Sequence, residues 1–95
     1  MPLVLSLRAG QDFYLGDDQV VVAAVQRHSR FELLLTKTGK RFAISQEKAT
    51  EIVEDVFISA GDKPQAGLAR IAIEAPREII ILRGDRYRDE RELVQ

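Results

Sequence analysis

The chain reads as a mostly β protein with one amphipathic helix inserted in its middle, and three observations predict this. Short apolar segments alternate with period two or run as β-branched stretches, notably at 3–8, 20–25 and 68–74. Turn-forming residues separate them, at Gly10, Gly16-Asp17-Asp18, Gly39 and Pro76. One segment, 46–58, breaks the rhythm: Ala49, Ile52, Val53, Val56 and Phe57 stand at helical spacing.

In order along the chain, Leu3, Leu5 and Leu7 face one way and Val4, Ser6 and Arg8 the other, a half-buried strand that Gly10 ends. Phe13-Tyr14-Leu15 forms a short second strand, closed by the turn at 16–18. Val20 to Val25 lacks clean alternation, which suits a strand buried on both faces or lying at a dimer interface. Phe31–Thr36 and Arg41–Ile44 flank Lys37-Thr38-Gly39-Lys40 as a hairpin, with Gly39 supplying positive φ.

Ser45 has the chemistry of an N-cap for the predicted helix over 46–58. Its acidic residues Glu51, Glu54 and Asp55 lie toward the wrong end for the helix dipole, so packing of the apolar stripe must hold it. A loop at 61–67 follows, then strands at 68–74 and 77–83 joined at Ala75-Pro76. Proline fixes φ near −65° and lacks an N–H, so Pro76 marks the turn or the first residue of the next strand. The charged tail from Gly84 reads as a short helix or an exposed end.

Ninety-five residues make a single domain, 1–95. A chain of this size buries roughly 60–65% of the surface exposed when unfolded, so its core is modest. Hydrophobic content of 45% and charge of 31% fit a globular chain. Without cysteine there is no disulfide, thiolate nucleophile or zinc–thiolate site. The opening Met-Pro-Leu-Val-Leu-Ser-Leu-Arg lacks the basic region of a signal peptide, and no apolar run is long enough to span a membrane. A cytoplasmic protein without membrane contact is the expectation.

No catalytic constellation is visible. The lone His28 sits in a turn beside Arg27 and Arg30, with no second histidine or cysteine to share a metal. Ser6, Ser29, Ser45 and Ser59 lack a nucleophile-elbow setting, and Gly10 and Gly16 do not open a phosphate-cradling loop before a helix. Asp17 and Asp18 are ordinary turn residues. The chain is therefore not read as an enzyme, and neither a cofactor nor a metal is expected.

Net charge is −1, which alone argues against strong nucleic-acid binding. Its distribution is uneven. Residues 27–41 carry Arg27, Arg30, Lys37, Lys40 and Arg41 against Glu32, while 45–62 carry Glu47, Glu51, Glu54, Asp55 and Asp62 against Lys48. Each block has the composition of a solvated face. The basic residues are mostly arginine, the side chain suited to planar, two-pronged contacts with phosphates and bases.

Three pieces in order carry a family resemblance: Leu3-Val4-Leu5-Ser6-Leu7-Arg8-Ala9-Gly10, the turn Leu15-Gly16-Asp17-Asp18, and Ala69-Arg70-Ile71-Ala72-Ile73-Glu74-Ala75-Pro76-Arg77-Glu78-Ile79-Ile80-Ile81-Leu82-Arg83. Together they resemble the carbon storage regulator (CsrA/RsmA) family, over residues 3–28 and 69–88. Those are small dimeric proteins that bind GGA-containing RNA loops and control translation. A segment of about 40 residues, 29–68, stands between the matching parts, where short family members have none.

The resemblance implies an intertwined homodimer in which first and last strands pair across subunits, with single-stranded RNA lying along the resulting edge. Apolar runs at Val20–Val25 and Ile79–Leu82 favour a dimer as well, because one small chain covers them with difficulty. Carried onto this sequence, the RNA-binding residues are Leu5, Ser6, Leu7, Arg8, Ala75, Pro76, Arg77 and Arg83. Arginine can donate two bonds to O6 and N7 of guanine.

Two positions depart from the family pattern. Leu7 stands where a basic residue is usual, removing a phosphate contact, and Glu74 places a carboxylate where RNA would pass. Lys37, Lys40 and Arg41 would compensate if their hairpin lay beside the site. The runner-up function is a protein-interaction module that has lost RNA binding and recruits its partner through the inserted helix or the acidic block.

Overall fold

The computed structural model describes residues 3–26, 30–61 and 67–94, the last five of these in backbone only. The sequence readings of Arg27, His28 and Ser29, and of the loop at 62–66, lie outside the described residues. Among the described residues the chain forms nine strands and one C-terminal helix. The strands are β1 (Leu3–Leu7), β2 (Asp12–Leu15), β3 (Asp18–Val25), β4 (Phe31–Leu35), β5 (Lys40–Ile44), β6 (Thr50–Val53), β7 (Val56–Ala60), β8 (Ala69–Glu74) and β9 (Ile81–Arg83). The helix, α1, spans Gly84–Val94.

The strands make two antiparallel sheets. One runs β1-β8-β7-β6 and the other β5-β4-β3-β2-β9. Alternation explains the core. Leu7, Ile71, Ile73, Ile58 and Val56 point inward from the first sheet, Phe13, Val20, Val22, Leu33 and Phe42 from the second, and together they form one buried cluster. Two backbone features join the sheets. The Ala60 N–H donates to the Ser45 carbonyl at 3.0 Å, and the turn after β1 is tied to β3 by a 2.8 Å bond from the Gly10 N–H to the Val22 carbonyl. Gly10 has φ +89°, a left-handed conformation that favours glycine, so the turn accounts for the Arg-x-Gly motif locally.

The helix expected over 46–58 is instead a hairpin, β6 and β7, turning at Glu54 and Asp55. Ile52 and Val56 are inward positions in both readings, and the patterns part after that. The helical stripe buries Phe57 and leaves Ile58 aside, whereas Ile58 is fully buried and Phe57 is 41% exposed. Thr50, Ile52, Val53, Val56 and Ile58 are all β-branched, which favours a pleated surface. Asp55 adopts φ +64°, its N–H held by Glu51 Oε2 at 3.0 Å, and that residue ends any helical path.

The last strand also differs from expectation. Residues 77–79 continue the turn after Pro76, with the Ile79 N–H bonded to the Pro76 carbonyl at 3.1 Å, and only Ile81–Arg83 pair as a strand. Ala75-Pro76 does not close a hairpin. It carries the chain from β8 in one sheet to β9 in the other. Within the chain β1 pairs with β8, Leu3 to Leu7 lying against Ile73 to Ala69, while the last strand, β9, pairs with β2. The run Val20–Val25 has Val20 and Val22 buried and its other four residues half-buried. Its irregular alternation is a register shift between Val22 and Ala24, where β3 bulges against β4.

Candidate nucleic-acid interface

Among the described residues β1 is an edge strand, and its outward backbone groups have no strand partner. β9 is the edge of the other sheet and ends at Arg83, opposite Phe13 of β2. The exposed Arg83 side chain bridges this seam, with Nη2 donating to the Ser6 carbonyl at 3.1 Å. A cleft of about 190 Å³ opens there, with Leu7, Gly10 and Gln11 on one side and Asp12, Arg83, Asp85 and Arg88 around it.

The chain holds the rear of this cleft firmly. Asp12 accepts from Arg88 Nη1 at 2.9 Å and Nη2 at 3.2 Å, and from Gln19 Nε2 at 2.7 Å. Burial pushes the Asp12 carboxyl up, but the hydrogen bonds from Arg88 and Gln19 and the Arg88 charge outweigh it and hold the group below its ordinary value. The same contacts raise the Arg88 guanidinium. Gly84 makes this packing possible, because a Cβ there would run into the Asp12 carboxylate. One turn of α1 further on, Tyr87 stacks on Tyr14 of β2, ring centroids 3.7 Å apart and planes 6° from parallel, and its hydroxyl donates to Asp17 Oδ1 at 3.0 Å.

Of the residues expected to bind RNA, Ser6 and Arg83 are brought together. Arg8 is exposed just beyond β1, its N–H bonded to Gln11 Oε1 at 2.8 Å. Leu5 packs against the core and Leu7 is 2% exposed, so Leu7 is apolar because its side chain is a core element. Only the backbone of Leu7 can face a ligand. Ala75, Pro76 and Arg77 lie elsewhere. They follow Glu74, beyond the Leu3–Ile73 pair at the opposite end of β1, and Leu3 to Ser6 alone spans roughly 10 Å at about 3.4 Å per residue.

The basic hairpin does not adjoin the cleft. β5 and β9 are opposite edges of one sheet, four inter-strand steps apart, or about 19 Å at roughly 4.8 Å per step. Its charges are engaged locally: Arg41 pairs with Glu32 at 2.6 Å, Lys37 lies 3.9 Å from Asp18, and Lys40 sits over the Phe42 ring. Sequence reasoning passed over Arg70, which stands opposite Ser6 on the outer face and was legible from the alternation of Ala69–Glu74. It also missed Asp12, Gly84 and Arg88, whose association across the fold has no local sequence signal. Among the described residues no His, Cys, Asp or Glu cluster could hold a metal ion, and no helix is long and apolar enough to cross a membrane.

No protein-family model, curated protein or solved structure matches the chain.

Proposed function

We propose that the protein binds single-stranded RNA at the seam between β1 and β9 and acts in the cytoplasm as a post-transcriptional regulator, without catalysis. The observation that carries this reading is the Arg83–Ser6 contact, which sets a strand-end arginine beside the free backbone edge of the first strand. An exposed guanidinium held by one backbone carbonyl can turn to the O6 and N7 of an unpaired guanine, and unpaired loops are what sequence-specific RNA readers mostly engage. The cleft carries arginine and aspartate together. That mixture suits a neutral base presenting both acceptors and donors, as guanine does, better than a phosphate. Arg88, fixed by Asp12, frames the cleft, and the exposed Arg8, bonded through its N–H to Gln11 of the cleft wall, is available for a phosphate.

The test is a gel shift with a hairpin RNA bearing GGA in its loop, against the same hairpin with CCA. Binding to the first and not the second supports the reading, and equal or absent binding refutes it. One observation favours the second reading, a protein-interaction module without RNA binding: Phe57 is exposed on the outer face of β7, paired with Glu74 on one side and Glu51 on the other.

A further inference from the structure

The outer face of the β1-β8-β7-β6 sheet has a charge pattern with a symmetry of its own. Ala72 sits at its middle, in a cross-strand row with Val4 of β1 and Ser59 of β7. Arg70 and Glu74 flank Ala72 two residues to either side on the same face of β8. Among the described residues neither side chain has a hydrogen-bond or ion-pair partner, and Arg70 Nε is buried with none. Phe57 stands beside Glu74, and Gly61, with no side chain, stands beside Arg70, its N–H bonded to the Arg70 carbonyl at 2.8 Å. α1 packs on β2 and β9, in the other sheet.

The geometry points to this face as an isologous interface with a second copy of the chain. A two-fold axis lying along the Val4–Ala72–Ser59 row exchanges the two ends of the face. Arg70 then meets the partner's Glu74, and Glu74 meets the partner's Arg70, so one pair of unpartnered charges is satisfied twice. The same operation lays Phe57 over the partner's Gly61 and the stem of the partner's Arg70, where a ring takes up both the gap and the cation. Small side chains at Ala72 and Ser59 let the sheets approach, and Val4, 40% exposed, is covered on the axis. An isologous interface needs a self-complementary patch, and complementary ends about a neutral centre are such a patch. A protein partner of other sequence would need no relation between the positions of Arg70 and Glu74. This dimer packs face to face and exchanges no strands; Ser6, opposite Arg70, lies at its rim, but Arg83 belongs to the other sheet and is not required for the contact, so the dimer can be tested without RNA.

A face this small gives a weak dimer, with a dissociation constant in the range of about 10 µM to 1 mM. Sedimentation equilibrium should show the mass rising from 10.7 kDa toward twice that with concentration. Arg70→Glu and Glu74→Arg, each confirmed as folded by circular dichroism, should each remain monomeric, because like charges then face each other twice. Mixing the two variants should restore a heterodimer, since the reversed charges complement across the axis. If a reversed variant does not fold, Arg70→Gln and Glu74→Gln take its place, each expected to weaken the dimer at least tenfold. A wild-type chain that stays monomeric to about 1 mM overturns the inference. So does a dimer indifferent to these substitutions, which would place the contact at a strand edge, and so does a mixture of folded variants that fails to associate.

Discussion

Arg83, the last residue of β9, donates from Nη2 to the backbone carbonyl of Ser6 in β1 across 3.1 Å, and this is the one side-chain bond described between the two sheet edges at the seam. The bond satisfies a carbonyl that has no strand partner on that side. It also leaves most of the guanidinium's donors free, since arginine carries five. A residue held by one weak tie at an open cleft is poised to exchange that tie for a ligand.

The hairpin at 50–60 makes opposite forecasts for two adjacent residues. Ile58→Ala should cost about 2–5 kcal/mol, because Ile58 is fully buried and its loss leaves a cavity. Phe57→Ala, in dilute protein, should cost about 1 kcal/mol or less, because that ring lies largely outside the core. Denaturant unfolding of the two variants measures the contrast. A larger loss at Phe57 than at Ile58 would restore the helical arrangement.

Gly84→Ala should destabilise the protein by about 1–3 kcal/mol, the usual cost of overpacking. The new methyl meets the Asp12 carboxylate, which cannot swing away without giving up Arg88 and Gln19. Thermal unfolding reads this directly, and an unchanged midpoint would mean that α1 docks differently.

Acid should loosen α1 before it unfolds the sheets. Asp12 titrates below its ordinary value of 3.8 in the folded chain, so its contribution is fully present above about that pH and is lost as pH falls through the lower folded value. Near-ultraviolet circular dichroism from the stacked Tyr14 and Tyr87 should fade in that window and do so less steeply in Asp12→Asn. A signal that persists to global unfolding in wild type would show that the tyrosine stack alone holds the helix.

Much of the β architecture was legible in the sequence, and the failures have physical causes. The hairpin at 31–44 was readable because Gly39 sits between two alternating segments, and β4 and β5 flank it as expected. The segment at 50–60 misled because Ile52 and Val56, four residues apart, satisfy both a helical and a two-residue period. Asp55 then takes a left-handed conformation that composition does not announce. The broken alternation of Val20–Val25 was seen correctly but concealed a bulge. That Ser6 and Arg83 belong to one edge was expected only from the resemblance, and the hydrogen bond between them had no signal in the sequence. Asp12 and Arg88 are separated by 76 positions, and only the fold brings them together.

RNA affinity should depend weakly on salt. The basic hairpin lies at the far edge of its sheet, Leu7 is buried, and Glu74 opposes phosphate, leaving few cations near the cleft. At about 0.7 per phosphate neutralised on single strands, log K should fall against log salt with a slope of about −2 to −4. A slope steeper than about −6 would mean that Lys37, Lys40 and Arg41 reach the backbone after all.

The central claim is that Arg83 reads a base at the β1 edge, and titrating a GGA-loop hairpin into wild type and Arg83→Ala by fluorescence anisotropy tests it most directly. Arg83→Ala should fold normally, since it removes one exposed hydrogen bond, and should bind the GGA hairpin more weakly by about 1–3 kcal/mol, with its preference over the CCA hairpin reduced by the same amount. Equal affinity and equal preference in the two proteins would contradict the claim.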